Sequence, residues 1–292
     1  MKIHVIRAFD DIKAVRHDRY PFHDQTGNIE NYFNKWVREK YQQTPIDEAD
    51  AIYAAIRFVD FFKIHIPGVA KPTKQSLKFI YERLETPHFL ANSERYFTVC
   101  QWSHGTCMDL RNCLKFQATA YQDNEVPIPL CVDAHPMNEV PKILLASFVG
   151  SFITHSIRGR LAKTLNHPKI IIKNATTDLK TFRRLMAQSW FALCPRGFGP
   201  ASFRIYEALQ LGCIPVIISD KYYYPYADEV DWSNFSVSVR EDSIKQIPNI
   251  LAKISPVQRR QMIKAGLTFY KNYCTKSAVC KRIINKLNLE KT

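Results

Sequence analysis

The amino-acid sequence predicts an α/β fold built from two Rossmann-like domains. At 292 residues, of which 46% are hydrophobic, the chain is long enough for two globular domains of ordinary size with a cleft between them. Apolar segments typical of strands alternate with segments of helical periodicity. One strand–loop–helix–strand unit also requires a parallel crossover. We expect the domains at residues 1–138 and 139–292, with a linker through Pro141.

The first domain is predicted from its alternating elements. Residues 2–8 alternate in polarity and are rich in isoleucine and valine, which is typical of a first strand. Helices are expected at residues 28–42 and 74–84, and a strand at residues 96–101. Asp60 follows an apolar run and is expected to end another strand. Ligands of an open α/β sheet lie at the carboxyl ends of its strands, so this edge is the expected functional face.

The second domain repeats the alternation. An apolar segment ends at Gly150 and is followed by a polar loop and a helix. Residues 169–173 predict a strand, and residues 181–189 predict a helix that leads into the strand–loop–helix–strand unit. Beyond that unit, the expected elements are a strand at residues 235–239 and helices at residues 244–254 and 256–270.

The strand–loop–helix–strand unit lies within residues 189–232. It comprises an expected strand at 191–194, a loop at 195–200, a helix at 201–211 and a strand at 213–219. The loop contains Gly197 and Gly199, which allow close backbone approach, and Gly212 stands where a helix stop is expected. The amides at the start of the helix carry partial positive charge, and Arg196 adds a full charge beside them. This arrangement predicts an anion site, most plausibly for a phosphate.

The motif carried by this unit resembles that of a known family. The run CPRGFGPASFRIYEALQLGCIPVIISD, followed by P-Y and DW-x-x-FSV, closely resembles the nucleotide-sugar-binding half of the exostosin family, glycosyltransferase family 47. The resemblance is strong over residues 143–239 and weaker over residues 47–135. It implies a GT-B fold with two domains facing a central cleft.

The resemblance also implies an activity. Members are inverting enzymes whose donor is usually a UDP-sugar, so the expected partners are a nucleotide sugar (UDP-xylose, UDP-glucuronate, UDP-galactose or similar) and a hydroxyl of a glycan acceptor. The alternative is a non-catalytic relative that binds a nucleotide sugar or a glycan. That relative would bind UDP without releasing it from UDP-sugars.

Donor-side residues follow from matching the motif position by position. The resemblance places Arg196 near the diphosphate and Glu207 near the ribose hydroxyls, and makes Arg158 a candidate phosphate ligand. Two alternatives stand beside it: Glu207 is the helical ion-pair partner of Arg204, or Ser202 is only a capping residue. The predicted donor-binding residues are Arg158, Arg196, Gly197, Ser202, Arg204 and Glu207.

The general base is expected in the first domain. Asp60 ranks first, because partial burial after an apolar strand would raise the pKa of a carboxylate and suit it to accept a proton. His104 is the second candidate and Asp109 lies near it, both in the loop after the strand at 96–101. A turn or capping role is the alternative for Asp60, and a structural role is the alternative for His104.

No metal or cofactor is expected beyond the donor substrate. The chain has no D-x-D pair of the kind that holds a divalent ion against a diphosphate. A GT-B enzyme can use arginines and helix dipoles instead, so transfer is predicted to be metal-independent. The eight cysteines include no C-x-x-C pair, which disfavours a structural zinc site.

Charge and hydropathy exclude other classes of protein. The net charge of +14 invites a nucleic-acid partner, but the basic residues are scattered and no nucleic-acid-binding motif is present. The apolar run at the N-terminus is too short for a secretory signal, and the longest apolar stretch, residues 143–153, is too short to span a bilayer. We therefore expect a compact, soluble, cytoplasmic member of the family.

Overall fold

The chain folds into two compact α/β units, each with its own parallel sheet. The computed structural model describes residues 1–13, 28–65, 72–135, 140–174 and 179–289. The first unit comprises Met1–Asp133 and Thr275–Thr292, and the second comprises Ala134–Cys274. Each sheet has five strands, all of whose pairings are parallel. The prediction of two Rossmann-like α/β domains is confirmed.

The first sheet has the strand order β1-β2-β3-β4-β5. Its strands are β1 Ile3–Ile6, β2 Ala51–Ala54, β3 Tyr96–Cys100, β4 Leu114–Gln117 and β5 Glu125–Pro127. Its helices are α1 Ile29–Lys40, α2 Phe58–His65, α3 Lys74–Leu84 and α4 Pro87–Ala91, with α10 Lys276–Leu289 added from the end of the chain. One face of the sheet packs against α1 and α10, and the other packs against α2, α3 and α4. Both faces are therefore buried, which is why its central strands have continuous apolar sequences.

The last helix belongs to the first unit, whereas the predicted division placed it in the second. Val279, Ile283 and Leu287 lie on one stripe of α10 and are buried in the core that includes Phe33 and Val37 of α1. Burial of this stripe on the first sheet determines where α10 belongs. Among the described residues, no helix has the length and apolarity needed to cross a membrane.

The second sheet has the strand order β10-β9-β8-β6-β7. Its strands are β6 Leu144–Val149, β7 Ile170–Lys173, β8 Ser189–Pro195, β9 Ile214–Ile218 and β10 Val237–Val239. Its helices are α5 Ser156–Thr164, α6 Leu179–Ala187, α7 Phe203–Gln210, α8 Ile247–Ala252 and α9 Pro256–Phe269. The chain adds β7 on one side of β6 and then places β8 on the other. This reversal creates a topological switch point outside the carboxyl ends of β6 and β8, where ligands of open α/β sheets bind.

Two local predictions are wrong. Asp60 does not end a strand: β2 stops at Ala54, and Asp60 lies in the first turn of α2. The helix expected from residue 201 begins at Phe203, so Ala201 stays outside it. The expected stop at Gly212 is confirmed, because this residue has φ +63°, a left-handed conformation that glycine adopts without a steric penalty.

Candidate functional site

Two loops meet at the switch point of the second sheet. Residues 150–155 connect β6 to α5, and residues 196–202 connect β8 to α7. Because β6 and β8 are neighbouring parallel strands, both loops leave the same edge of the sheet. The sequence-predicted donor residues Arg158, Arg196 and Gly197 all lie in these loops or in the helix that follows. The fold therefore brings them together.

Arg158 joins the two loops to each other. Its Nε donates to the backbone oxygen of Arg196 at 3.0 Å, and its Nη2 donates to the oxygen of Pro195 at 3.3 Å. Its Nη1 donates to the oxygen of Ser151 at 3.0 Å in its own loop. Burial, with the nearby charge of Arg204, lowers the pKa of Arg158 to about 10, so the guanidinium remains charged at neutral pH. Each terminal nitrogen of a guanidinium carries two N–H groups, so one on each takes no part in these three hydrogen bonds.

Gly197 leaves space beside this guanidinium. A Cβ atom at position 197 would lie 3.2 Å from Nη2 of Arg158 and 3.8 Å from Oγ1 of Thr154. The first distance is shorter than an ordinary van der Waals contact, so any larger residue would push against the arginine. Gly197 therefore lets the backbone approach the arginine closely, as the sequence predicts.

The side chain of Arg196 makes fewer contacts within the described residues than that of Arg158. Its backbone N–H donates to the oxygen of Ile218 at 3.0 Å, which extends the pairing of β8 with β9. Its side chain is 21% exposed, and its nearest acidic group is Glu241, whose Oε1 lies 3.8 Å from Nη1. Nε of Arg196 is buried and has no hydrogen-bond partner among the described residues. A ligand oxygen would satisfy this donor.

Arg204 and Glu207 form a buried ion pair on α7. Nη1 of Arg204 donates to Oε2 of Glu207 at 2.8 Å, and Nη2 donates to the backbone oxygen of Val149 at 2.7 Å. The guanidinium also packs over the ring of Phe182 at 4.2 Å. Glu207 is 2% exposed, and burial raises its pKa to about 8. The ion-pair alternative is confirmed, whereas the predicted role of Arg204 and Glu207 in donor binding stays a prediction.

Glu207 has a second neighbour that the sequence does not predict. Nε2 of His135 lies 3.7 Å from Oε1 of Glu207, and Nε of Arg183 donates to Nδ1 of His135 at 2.8 Å. Because Nδ1 accepts a hydrogen bond, a neutral His135 carries its proton on Nε2, which faces the carboxylate. The only sequence signal was the phrase DAHP before the linker, which indicates no role.

Ser202 directly precedes α7. It is buried and occupies the N-cap position, but its side chain makes no capping hydrogen bond to the first turn. The capping alternative for its hydroxyl is therefore wrong. Its predicted donor role stays a prediction.

Two carboxylates of the first unit, Asp60 and Glu30, are buried, whereas the third, Asp109, is exposed. Asp60 is 0% exposed, and its Oδ2 accepts a hydrogen bond from Nδ2 of Asn31 at 2.9 Å. The neighbouring Glu30, which sequence reasoning treated as part of a scaffold helix, is 1% exposed. Its two oxygens accept from the backbone N–H groups of Gln101 at 2.7 Å and Val59 at 3.0 Å. Glu30 thus ties the end of β3 to the first turn of α2.

His104 lies in the loop that follows β3 and keeps part of its surface exposed. The loop turns at Gly105, which has φ +75° and whose N–H donates to the oxygen of Trp102 at 2.8 Å. The buried side chain of Gln117 supports it by accepting from the N–H of Thr106 at 3.0 Å. Asp109, farther along, accepts from the N–H of Arg111 within a local turn. His104 thus lies at the carboxyl edge of the first sheet with part of its surface exposed.

Glu30 is predicted to make stability depend on pH. Burial raises its pKa from 4.5 to about 8, although the two backbone hydrogen bonds oppose the rise. The folded state therefore binds a proton that the unfolded state releases between these values, so the free energy of unfolding should fall as pH rises from about 4.5 to about 8. Urea unfolding from pH 5 to pH 8 measures this fall.

Glu30→Gln separates this contribution from that of Glu207, which acts in the same direction. The variant lacks the titrating group and should show a shallower fall in the free energy of unfolding across the same range. Parallel curves for the two proteins would contradict the assignment to Glu30.

The two loops and their arginines lie at the switch point of a parallel sheet in the second unit of an α/β protein. The model of the exostosin GT47 domain matches residues 93–254, more than half of the chain, and the chain belongs to the exostosin family. The predicted family is confirmed.

The chain is also similar to individual relatives. It is 32% identical over 126 residues to the exostosin-1 homolog of Caenorhabditis elegans, covering 40% of this chain and 33% of that protein. It is 32% identical over 151 residues to a probable glucuronosyltransferase of Oryza sativa subsp. japonica, covering 46% of this chain and 36% of that protein. The chain thus spans about a third of the length of these relatives.

Solved structures are similar only at low identity. The DNA-modifying enzyme β-glucosyltransferase, solved with and without uridine diphosphoglucose, has a TM-score of 0.46 at 11% identity over 98% of this chain and 99% of its own. Anabaena HepE in complex with UDP-glucose has a TM-score of 0.45 at 12% identity over 88% of this chain and 81% of its own. Both TM-scores are below 0.5, so family membership rests on the sequence match.

Proposed function

We propose that the chain is a glycosyltransferase that moves a sugar from a UDP-sugar to a hydroxyl of a glycan acceptor with inversion. The observation that carries the proposal is the pair Arg158 and Arg196 at the switch point, with Nε of Arg196 buried and unpartnered among the described residues. A diphosphate supplies the negative charge and the acceptor oxygens that such a pair binds. Membership of the exostosin family supports the same reaction class.

The proposed reaction is a single displacement. The acceptor oxygen loses its proton to a general base and attacks the anomeric carbon of the donor sugar, while the bond from that carbon to the diphosphate breaks. UDP leaves with the bonding electrons and with growing negative charge. Arg196, Arg158 and the amides at the start of α7 stabilise that charge, because they are already oriented before the reaction begins.

The base is proposed to be His104. A general base has to come within hydrogen-bond reach of the acceptor oxygen. Asp60, the first-ranked candidate from the sequence, has no exposed surface and already accepts a hydrogen bond from Asn31. We therefore place His104 ahead of it. His104 is partly exposed at the carboxyl edge of the first sheet, and a neutral imidazole accepts a proton near neutral pH.

A panel of nucleotide sugars tests the proposal. Thermal shift measures binding, because a ligand that binds the folded state raises the melting temperature in proportion to its occupancy. Release of UDP with and without glycan acceptors then measures turnover. UDP-sugars should stabilise the protein, and at least one should release UDP. Stabilisation by UDP without release from any donor and acceptor pair would favour the non-catalytic alternative. No stabilisation by any UDP-sugar would contradict both.

Transfer is predicted to persist in excess EDTA. In the proposed site the leaving group is neutralised by Arg158 and Arg196, and no metal carries a share of its charge. The rate of UDP release should therefore change little when excess EDTA is added to the assay. A complete loss of activity that manganese or magnesium restores would contradict the arginine-based account.

A further inference from the structure

The loop between β6 and α5 contains a buried threonine hydroxyl. Oγ1 of Thr154 is buried and has no hydrogen-bond partner among the described residues. A buried hydroxyl without a partner is destabilising, because it has given up water and gained nothing in return. The strand–loop–helix–strand unit that the sequence analysis singled out begins at residue 189, so Thr154 is not one of the predicted donor-binding residues.

Thr154 lies beside Gly197, on the side where Arg158 also approaches. Its Oγ1 is 3.8 Å from the position that a Cβ atom of residue 197 would occupy, and Nη2 of Arg158 is 3.2 Å from that position. Arg196, the next residue in the chain, has an unpartnered buried Nε among the described residues. Two buried polar groups without a hydrogen-bond partner among the described residues thus come from the two loops of the candidate site, one from Thr154 and one from Arg196.

The surroundings carry excess positive charge. Burial lowers the pKa of the adjacent His155, and Arg196 and Arg158 lower it further, with only Glu241 acting in the opposite direction. His155 is also held as an acceptor, because its Nδ1 receives the N–H of Ile157 at 3.3 Å and so caps α5. The charges that act on His155 are therefore mostly positive, which favours an anion as the ligand of this loop.

We propose that Thr154 is a further ligand of the sugar donor, whose hydroxyl donates a hydrogen bond to a phosphoryl oxygen of the nucleoside diphosphate. This inference rests on the proposed function. It adds a hydroxyl of the loop after β6 to the arginines of the proposed donor site, and it gives this unpartnered group a role. A phosphoryl oxygen there satisfies Oγ1 of Thr154 and Nε of Arg196 together.

Binding of UDP and of uridine to variants of Thr154 tests the proposal. Thr154→Val keeps the shape and removes the hydroxyl, whereas Thr154→Ser keeps the hydroxyl. Titration calorimetry should give a dissociation constant for UDP that is raised about tenfold or more in Thr154→Val, as expected for a lost hydrogen bond to a charged group. Thr154→Ser should stay near the wild-type value. Uridine, which has no phosphate, should bind all three proteins equally.

The matched control is Thr268→Val, on the exposed face of α9, which should leave UDP binding unchanged. Equal affinity of wild type and Thr154→Val for UDP would overturn the inference while leaving the proposed function in place, as would an equal loss for UDP and uridine. Absence of UDP binding to the wild type would overturn the proposed function and this inference with it.

Discussion

Replacement of Arg196 by alanine is expected to lower kcat/KM for sugar transfer by roughly thirtyfold to a thousandfold, which corresponds to about 2 to 4 kcal/mol of lost transition-state stabilisation. Arg196 is the partly exposed arginine of the crevice, and its Nε has no partner among the described residues. The contact that it makes grows stronger as charge develops on the departing diphosphate. Steady-state release of UDP from the best donor of the panel measures the effect.

The matched control is Arg184→Ala. It removes the same charge from an exposed position on α6 of the same unit and should leave kcat/KM unchanged. Because the side chain of Arg196 makes only a long contact with Glu241, its removal should also leave the melting temperature close to that of the wild type. A folded Arg196→Ala protein with near-normal turnover would remove this residue from the mechanism.

The second large effect is expected for the base. His104→Ala should lower kcat by about two to four orders of magnitude, the range typical of lost acid–base assistance. The dissociation constant of UDP should stay unchanged, because the proposed donor ligands Arg158, Arg196 and Thr154 lie in the second unit. Single-turnover transfer with donor in excess separates the chemical step from binding.

Two further variants serve as controls for His104→Ala. His88→Ala removes a histidine from α4, which precedes β3 and so lies toward the opposite edge of the first sheet from His104, and it should leave kcat unchanged. Asp60→Asn should affect stability more than kcat, because Asp60 is fully buried against Asn31. Unchanged transfer in His104→Ala with a collapse in Asp60→Asn would return the role to the aspartate.

The sequence predicted well those features that local chemistry determines. The unit from β8 to β9 is recognisable because its glycines, its arginine and its apolar runs follow one another closely in the chain, between Ser189 and Ile218. Together they form a single motif. Gly212 adopts the left-handed conformation expected of a helix stop. The same local character made the ion pair of Arg204 with Glu207 visible as an alternative, since residues three apart share a helix face.

Other features depend on contacts between distant segments. Asp60 was assigned to a strand because a short apolar run fits a strand and a buried helix equally well. The role of Glu30 depends on Gln101, which lies 71 residues away, and the sequence around α1 gives no sign of it. The closeness of Thr154 to Gly197 depends on two loops that lie far apart in the chain. The place of α10 depends on the sheet of the first unit, onto which it packs.

A crystal structure of the protein with UDP tests the central claim most directly, because it locates the diphosphate without relying on turnover. The account predicts that the diphosphate lies outside the carboxyl ends of β6 and β8, with a phosphoryl oxygen within hydrogen-bond distance of Nε or a terminal nitrogen of Arg196 and of Oγ1 of Thr154. The charge of Arg158 should lie beside it while its three backbone hydrogen bonds remain. A diphosphate bound elsewhere on the chain, with these side chains arranged as they are without ligand, would contradict the account.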